Sequence, residues 1–139
     1  MYKRLARKAD LISDIRIDEK TYEITIVDRD GNIVKKAGLS AGEKEIFAIS
    51  LLWGLAQTSE ANLPIIIDTP LSRLDSIHRE NIVNNYFPNA SKQVIILSTN
   101  TEITEEYYNL IKPYLNDELL LKFDNLNGVT SIQKGYFWS

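Results

Sequence analysis

The feature that most constrains this chain is the stretch Glu45–Ala56. Nine of its twelve residues are apolar: Ile46, Phe47, Ala48, Ile49, Leu51, Leu52, Trp53, Leu55 and Ala56. A helix that is apolar on nearly all sides has to be buried on nearly all sides. Residues 41–58 are therefore expected to form a core helix, running into the polar loop Gln57–Asn62. Beyond it the pattern alternates. Ile65–Ile67 reads as a short apolar strand, Ser76–Phe87 as a helix, and Gln93–Ser98 as a second buried strand. Thr104–Lys112 reads as a helix stopped near Pro113. Glu118–Phe123 and Val129–Gln133 read as strands around an Asn125–Gly128 turn. Strands alternating with helices predict an α/β fold with a mostly parallel sheet and flanking helices. Continuously apolar strands fit a sheet covered on both faces.

Upstream of the core helix, residues 1–20 read as the end of an amphipathic helix. Leu5, Ile12 and Ile15 recur at loosely helical spacing among charges. Lys3, Arg4, Arg7 and Lys8 form a basic cluster, best read as a solvated face. Residues 21–36 read as a hairpin. Tyr22, Ile24 and Ile26 alternate with polar neighbours, Asp30-Gly31 supplies the turn, and Ile33-Val34 begins the return. The chain divides on this reading into a helical stub, 1–20, and one domain, 21–139.

Composition removes several classes of function. The chain has 139 residues, 44% hydrophobic and 25% charged, as in an ordinary globular domain. It has no cysteine, which excludes disulfides, thiolate nucleophiles and cysteine-ligated metal centres. The single histidine, His78, argues against a histidine-rich metal site or a Ser-His-Asp triad and reads as a structural or surface residue rather than a ligand. A net charge of −3 leaves no domain-wide basic field for nucleic acid. There is no apolar run of membrane-spanning length and no signal-peptide pattern, so a cytoplasmic location with no membrane partner is expected.

Four short segments could carry chemistry. Leu39-Ser40-Ala41-Gly42-Glu43-Lys44 opens the core helix. Ser40 with Glu43 three residues later makes a capping box, which is a sufficient structural explanation. The same small turn would also present bare N–H groups and a positive dipole end to a phosphate. The segment is not a phosphate-binding P-loop, because Glu45 follows Lys44 where a hydroxyl residue is required. Second, Asp68 ends the strand Ile65–Ile67, where α/β ligand sites form and where a carboxylate can hold magnesium directly or through water. It could equally cap the turn that Pro70 enforces. Third, Ser72-Arg73-Leu74-Asp75 precedes a helix that Asp75 or Ser76 could cap. Fourth, Ser98-Thr99-Asn100 ends the next strand, at the same sheet edge as Asp68.

The order of these segments resembles the carboxyl-terminal half of an ABC-type ATPase head of the SMC-like kind used in DNA metabolism. In that likeness Leu39–Lys44 corresponds to the signature motif, with Ser40, Ala41, Gly42 and Glu43 binding ATP in trans. Ile65–Asp68 corresponds to the Walker B strand, Ser72, Arg73, Leu74 and Asp75 to the D-loop, and Thr99 to the switch position. The run Ile67–Arg79 and the ending Gly135-Tyr136-Phe137 look most like the DNA sulfur modification (phosphorothioation) family DndD. The resemblance covers about residues 22–137. Two residues depart from the usual ABC pattern. Thr69 stands where a catalytic Glu follows the Walker B Asp, and Thr99 stands where the switch histidine lies. Asp-Thr-Pro is usual in the sulfur-modification branch, but the base is left unidentified. Glu102 is a loose candidate for it, with a structural role favoured.

The resemblance implies that the Walker A loop lies in an amino-terminal lobe, across a long coiled coil whose returning end is residues 1–20. ATP and Mg2+ would then bind only in partnership with that lobe, in a head-to-head homodimer, with Asp68 as the catalytic and metal-associated carboxylate. Without Walker A the chain is not expected to hydrolyse ATP alone. Other DNA sulfur modification proteins, and DNA through the full-length protein, are the implied partners. Two alternatives stay open. One is a non-catalytic α/β binding or adaptor module that has lost hydrolysis, favoured by Thr69 and Thr99. The other is a magnesium-dependent phosphoesterase, which has too few acids at one strand edge.

Overall fold

The computed structural model describes residues 1–6, 12–59 and 63–138. It opens with the helical turn α1 (Tyr2–Leu5). A strand β1 (Asp14–Ile17) then pairs antiparallel with β2 (Ile24–Val27), Asp14 opposite Val27 and Ile17 opposite Ile24. The expected helix through residue 20 is thus corrected at Asp14–Ile17, while residues 7–11 of that expectation lie outside the described residues. Ile15 and Ile17 fit a strand's period of two. The tight connection decides for it. Asp18 accepts hydrogen bonds on its carboxylate from the N–H groups of Lys20 (2.9 Å) and Thr21 (2.7 Å). Tyr22 turns the chain at φ 57°. The hairpin expected from residue 21 onward is therefore displaced. The main partner of β2 lies before it, and the Asp28–Asn32 turn returns only far enough for one bridge, Val27 to Ile33.

The core helix is present as α2 (Ala41–Thr58), with a complete capping box. Its burial is narrower than its composition implies. Ile46, Ser50 and Trp53 are buried, but Leu52 is 63% exposed and Leu55 52% exposed. Next come β3 (Ile65–Asp68), α3 (Ser76–Asn81), a π-helical turn (Ile82–Tyr86) and a 3-10 turn (Phe87–Asn89) containing Pro88. The expected single helix over 76–87 is interrupted in this way. β4 (Val94–Leu97) runs parallel to β3, with Asp68 opposite Leu97. α4 (Glu105–Ile111) leads to β5 (Leu119–Asp124) and β6 (Val129–Lys134), an antiparallel hairpin.

Among the described residues the architecture is mixed α/β with three separate two-stranded sheets. Of these pairs only β3 and β4 are parallel, which corrects the expectation of one mostly parallel sheet. Nor is that pair covered on both faces among the described residues: Ile66, Ile95 and Leu97 are 64%, 40% and 47% exposed, while Ile65, Ile67, Val94 and Ile96 pack against the core. That core gathers Leu5, Ile12, Ile26, Leu39, Ile46, Trp53, Leu71, Ile82, Val83, Ile103 and Tyr108. Trp53 anchors it. Its ring meets Tyr86 edge-on at 5.4 Å, and its N–H donates to the Asn89 carbonyl at 3.1 Å.

Candidate functional site

The site is built at the carboxyl ends of β3 and β4 and at the start of α2. Parallel pairing places Asp68 beside Leu97, and the Thr69 N–H donates to the Leu97 carbonyl at 3.0 Å. Both loops that follow therefore leave from one edge, carrying Asp68, Thr69 and Ser72–Asp75 on one side and Ser98–Asn100 on the other. Thr69 sits at φ 47°. A β-branched residue in the left-handed region is a strained outlier, and such residues gather at functional turns. The strain turns the chain sharply after Asp68 and sends Pro70 and Leu71 inward, where both are buried.

At the start of α2, the Glu43 N–H donates to the Ser40 hydroxyl at 3.3 Å and the Ser40 N–H donates to the Glu43 carboxylate at 2.8 Å. This reciprocal cap fixes the turn. Gly42 lies against the loop after β3. A methyl group placed on it would stand 3.6 Å from the Arg73 carbonyl oxygen and 3.8 Å from the Leu74 side chain. Ser40–Glu43 and Arg73–Leu74, far apart in sequence, are thus adjacent in space. Asp75 caps α3, accepting from the His78 N–H at 2.9 Å, and the His78 ring Nδ1 lies 3.0 Å from the same carboxylate oxygen. His78 is buried, which favours a structural histidine over a surface one.

Ser40, Asp68, Thr69, Ser72, Arg73, Asp75 and Thr99 are all solvent-exposed. Asp68 could associate with a magnesium ion through one carboxylate, as magnesium sites completed by substrate phosphates and water allow. Among the described residues no group of three or more His, Cys, Asp or Glu side chains could hold a metal. Thr99 pairs with Thr101, hydroxyl to hydroxyl, at 3.0 Å. Beside these loops, burial raises the carboxyl of Glu45, on the first turns of α2, above its ordinary range. Arg73 acts in the opposite direction and the charge of Glu102 adds to the rise.

Four contacts escaped the sequence reading. The Tyr136 hydroxyl lies 2.8 Å from the Ser98 hydroxyl and donates to the Thr99 carbonyl at 3.2 Å. The Trp138 indole N–H donates to the Ile103 carbonyl at 2.9 Å. Glu102, buried, accepts the Leu71 N–H on its carboxylate. The ending Gly135-Tyr136-Phe137 is legible as a motif, but the seat of Tyr136 and Trp138 on the loop after β4 depends on tertiary packing.

No protein-family profile and no curated protein sequence matches the chain. In three dimensions it is similar to a solved structure from work on the structural biochemistry of ATP-driven dimerization and DNA stimulated activation of SMC ATPases. The TM-score is 0.60 at 13% identity, over 97% of this chain and 85% of the other. The chain therefore shares the fold of an SMC ATPase structure. No helix among the described residues is long and apolar enough to cross a membrane.

Proposed function

We propose that this chain is the carboxyl-terminal lobe of an SMC-like ATPase head, contributing to a composite ATP site between two heads. The observation that carries the reading is the juxtaposition at one edge of Asp68, the Ser72–Asp75 loop and the Ser40–Gly42 helix start, on a fold similar to an SMC ATPase. In this reading Asp68 serves the nucleotide gripped by the lobe's own head, with an amino-terminal lobe supplying the Walker A loop. Ser40 and Gly42 face the γ-phosphate of the opposite head. The Ser40 oxygen is engaged in the cap as an acceptor, so its own O–H is the group offered to a phosphate oxygen. The open N–H groups of the first turn of α2 add a positive dipole end. A bound magnesium ion would neutralise charge on the β- and γ-phosphates. Thr99, with its Thr101 partner, lines the same edge, and Asp75 stiffens the seam between heads. The opening helix α1 is where a returning coiled coil joins the head.

Within this class the Asp68-Thr69-Pro70 run and the loop after it favour the DNA sulfur modification branch, like DndD. The full-length protein would then act on DNA beside other sulfur modification proteins. A second reading, an adaptor lobe that binds ATP without hydrolysing it, is favoured by Thr69, whose hydroxyl is no base near neutral pH.

The test mixes the chain with its amino-terminal lobe and measures ATP hydrolysis beside Ser40→Arg and Asp68→Asn. Hydrolysis is expected only in the mixture, with each substitution lowering it at least about a hundredfold, the scale of losing a transition-state contact. ATP-dependent pairing without hydrolysis would favour the adaptor. Hydrolysis by this chain alone would overturn the composite site.

A further inference from the structure

Glu102 lies in the loop after β4, next to Thr99–Thr101, yet its carboxylate reaches a different loop. It accepts the N–H of Leu71, three residues beyond Asp68. Both ends of this contact are buried, Glu102 at 6% exposure and Leu71 at 0%. Each is also tied into its own loop. The Glu102 and Ile103 N–H groups both donate to the Thr99 carbonyl, at 3.2 and 3.0 Å. The Leu74 N–H donates to the Leu71 carbonyl at 3.3 Å. Leu74 and Arg73 in turn are the residues against which Gly42 packs. A continuous path of contacts thus runs from Thr99 through Glu102, Leu71 and Leu74 to the first turn of α2. A carboxylate receiving a buried backbone N–H is the strong link in it, because a charged acceptor roughly doubles the strength of a hydrogen bond.

We propose that Glu102 is a positioning residue, locking the loop after β4 to the loop after β3 so that Thr99, Ser72–Asp75 and the start of α2 move as one body. Its functional consequence rests on the ATPase reading above; its structural content does not. In an assembled head, a change sensed at Thr99 would reach Gly42 through this lock. Glu102 thereby acts by orienting groups and not by taking a proton, which separates it from a catalytic base.

The test compares Glu102→Ala with Glu102→Gln. The Gln amide oxygen can still accept the Leu71 N–H, whereas Ala cannot. Backbone amide exchange, read by NMR on this chain, is the first readout and requires no nucleotide. Exchange at Leu71 and Leu74, whose N–H groups are hydrogen-bonded, is expected to rise about ten- to hundredfold in Glu102→Ala, with Glu102→Gln recovering most of the protection. Unchanged exchange in a folded Glu102→Ala would overturn the lock. Should that variant not fold, the Leu71 amide proton in Glu102→Gln decides. A shift confined to Leu71 and its hydrogen-bonded neighbours supports the contact, and an unmoved resonance overturns it.

The second readout is hydrolysis by the mixture of lobes. Glu102→Ala is expected to lower kcat about tenfold with KM for ATP nearly unchanged, and Glu102→Gln to restore most of it. Equal losses in both variants would point to acid–base chemistry and overturn the positioning role. If exchange responds as expected while the wild-type mixture is inactive, the ATPase reading fails and the lock stands.

Discussion

Single residues in this chain carry measurable consequences because their local geometry is unusual. Thr69 holds φ 47° in a turn that any β-branched residue resists. Thr69→Gly removes that strain but gives the unfolded chain more freedom, so a net gain of at most about 1 kcal/mol is expected. Denaturant unfolding of the two proteins checks it. Asp124 shows a different effect. The side-chain amide of Asn127 donates to its carboxylate at 2.6 Å and the Leu126 N–H at 2.8 Å, holding its carboxyl below the ordinary range. A group whose folded value is lowered contributes stability above its unfolded pKa and loses it as pH falls through the folded value. Asp124→Asn is therefore expected to weaken the β5–β6 turn near neutral pH and to make no difference in strong acid. Cross-strand NMR contacts followed down in pH would show the two proteins converging.

At the scale of elements, α2 joins the core to the candidate site. Trp53 is 1% exposed, touches Tyr86, and lies under the Arg4 guanidinium at 5.3 Å. Trp53→Ala is expected to cost about 3–5 kcal/mol through the cavity it leaves. Trp53→Phe keeps most of the volume and removes one of two hydrogen bonds to the Asn89 carbonyl, which keeps the Gln57 side-chain amide at 3.2 Å, at a cost of about 0.5–1.5 kcal/mol. Chemical denaturation orders the three proteins. At the other end of the helix, Ser40→Ala removes the hydroxyl half of the capping box, leaving the backbone N–H at position 40 to donate to Glu43, and is expected to cost about 1 kcal/mol. Such a loss is small against the hydrolysis effect proposed for Ser40, so stability and activity can be measured apart. The elements most legible in advance were those with strong periodic or capping signals. α2, β3 and β4 fall within a residue or two of their expected bounds. β1 was missed because Ile12 and Ile15 suit a helix as well as Ile15 and Ile17 suit a strand, and only its ladder with β2 settles the choice.

At the scale of the whole molecule, the distribution of exposed apolar surface stands out. Leu52 and Leu55 on α2, and Ile66, Ile95 and Leu97 on the β3–β4 pair, lie in contact with solvent. Leu52 and Ile66 line one open cavity, and exposed apolar clusters of this kind mark interaction surfaces. Under the two-lobe reading this surface meets the amino-terminal lobe. Ile66→Lys is then expected to leave thermal stability of this chain nearly unchanged, as surface substitutions do, and to abolish its association with that lobe. Sedimentation of the mixture checks the second half. Retained association at wild-type strength would place the lobe elsewhere.

What could be read from the residues alone was what depends on neighbours in sequence. The box of Ser40 and Glu43, the apolar strand ending in Asp68, the cap at Asp75 and the turn at Asn125–Gly128 rest on short-range hydrogen bonds and periodicity, so residue type and spacing suffice to find them. What required the folded molecule depends on which strands pair and what covers their faces. Hydrogen bonding split the strands into three short sheets, because β2 found β1 and β5 found β6 instead of joining β3 and β4. The apolar composition of α2 foretold burial on nearly all sides, but a side chain is buried only where another element lies against it, and the described residues supply such an element on one face. The reach of Glu102 to Leu71 spans 31 residues. No local pattern encodes it, since the partner is a backbone N–H that every residue except proline carries.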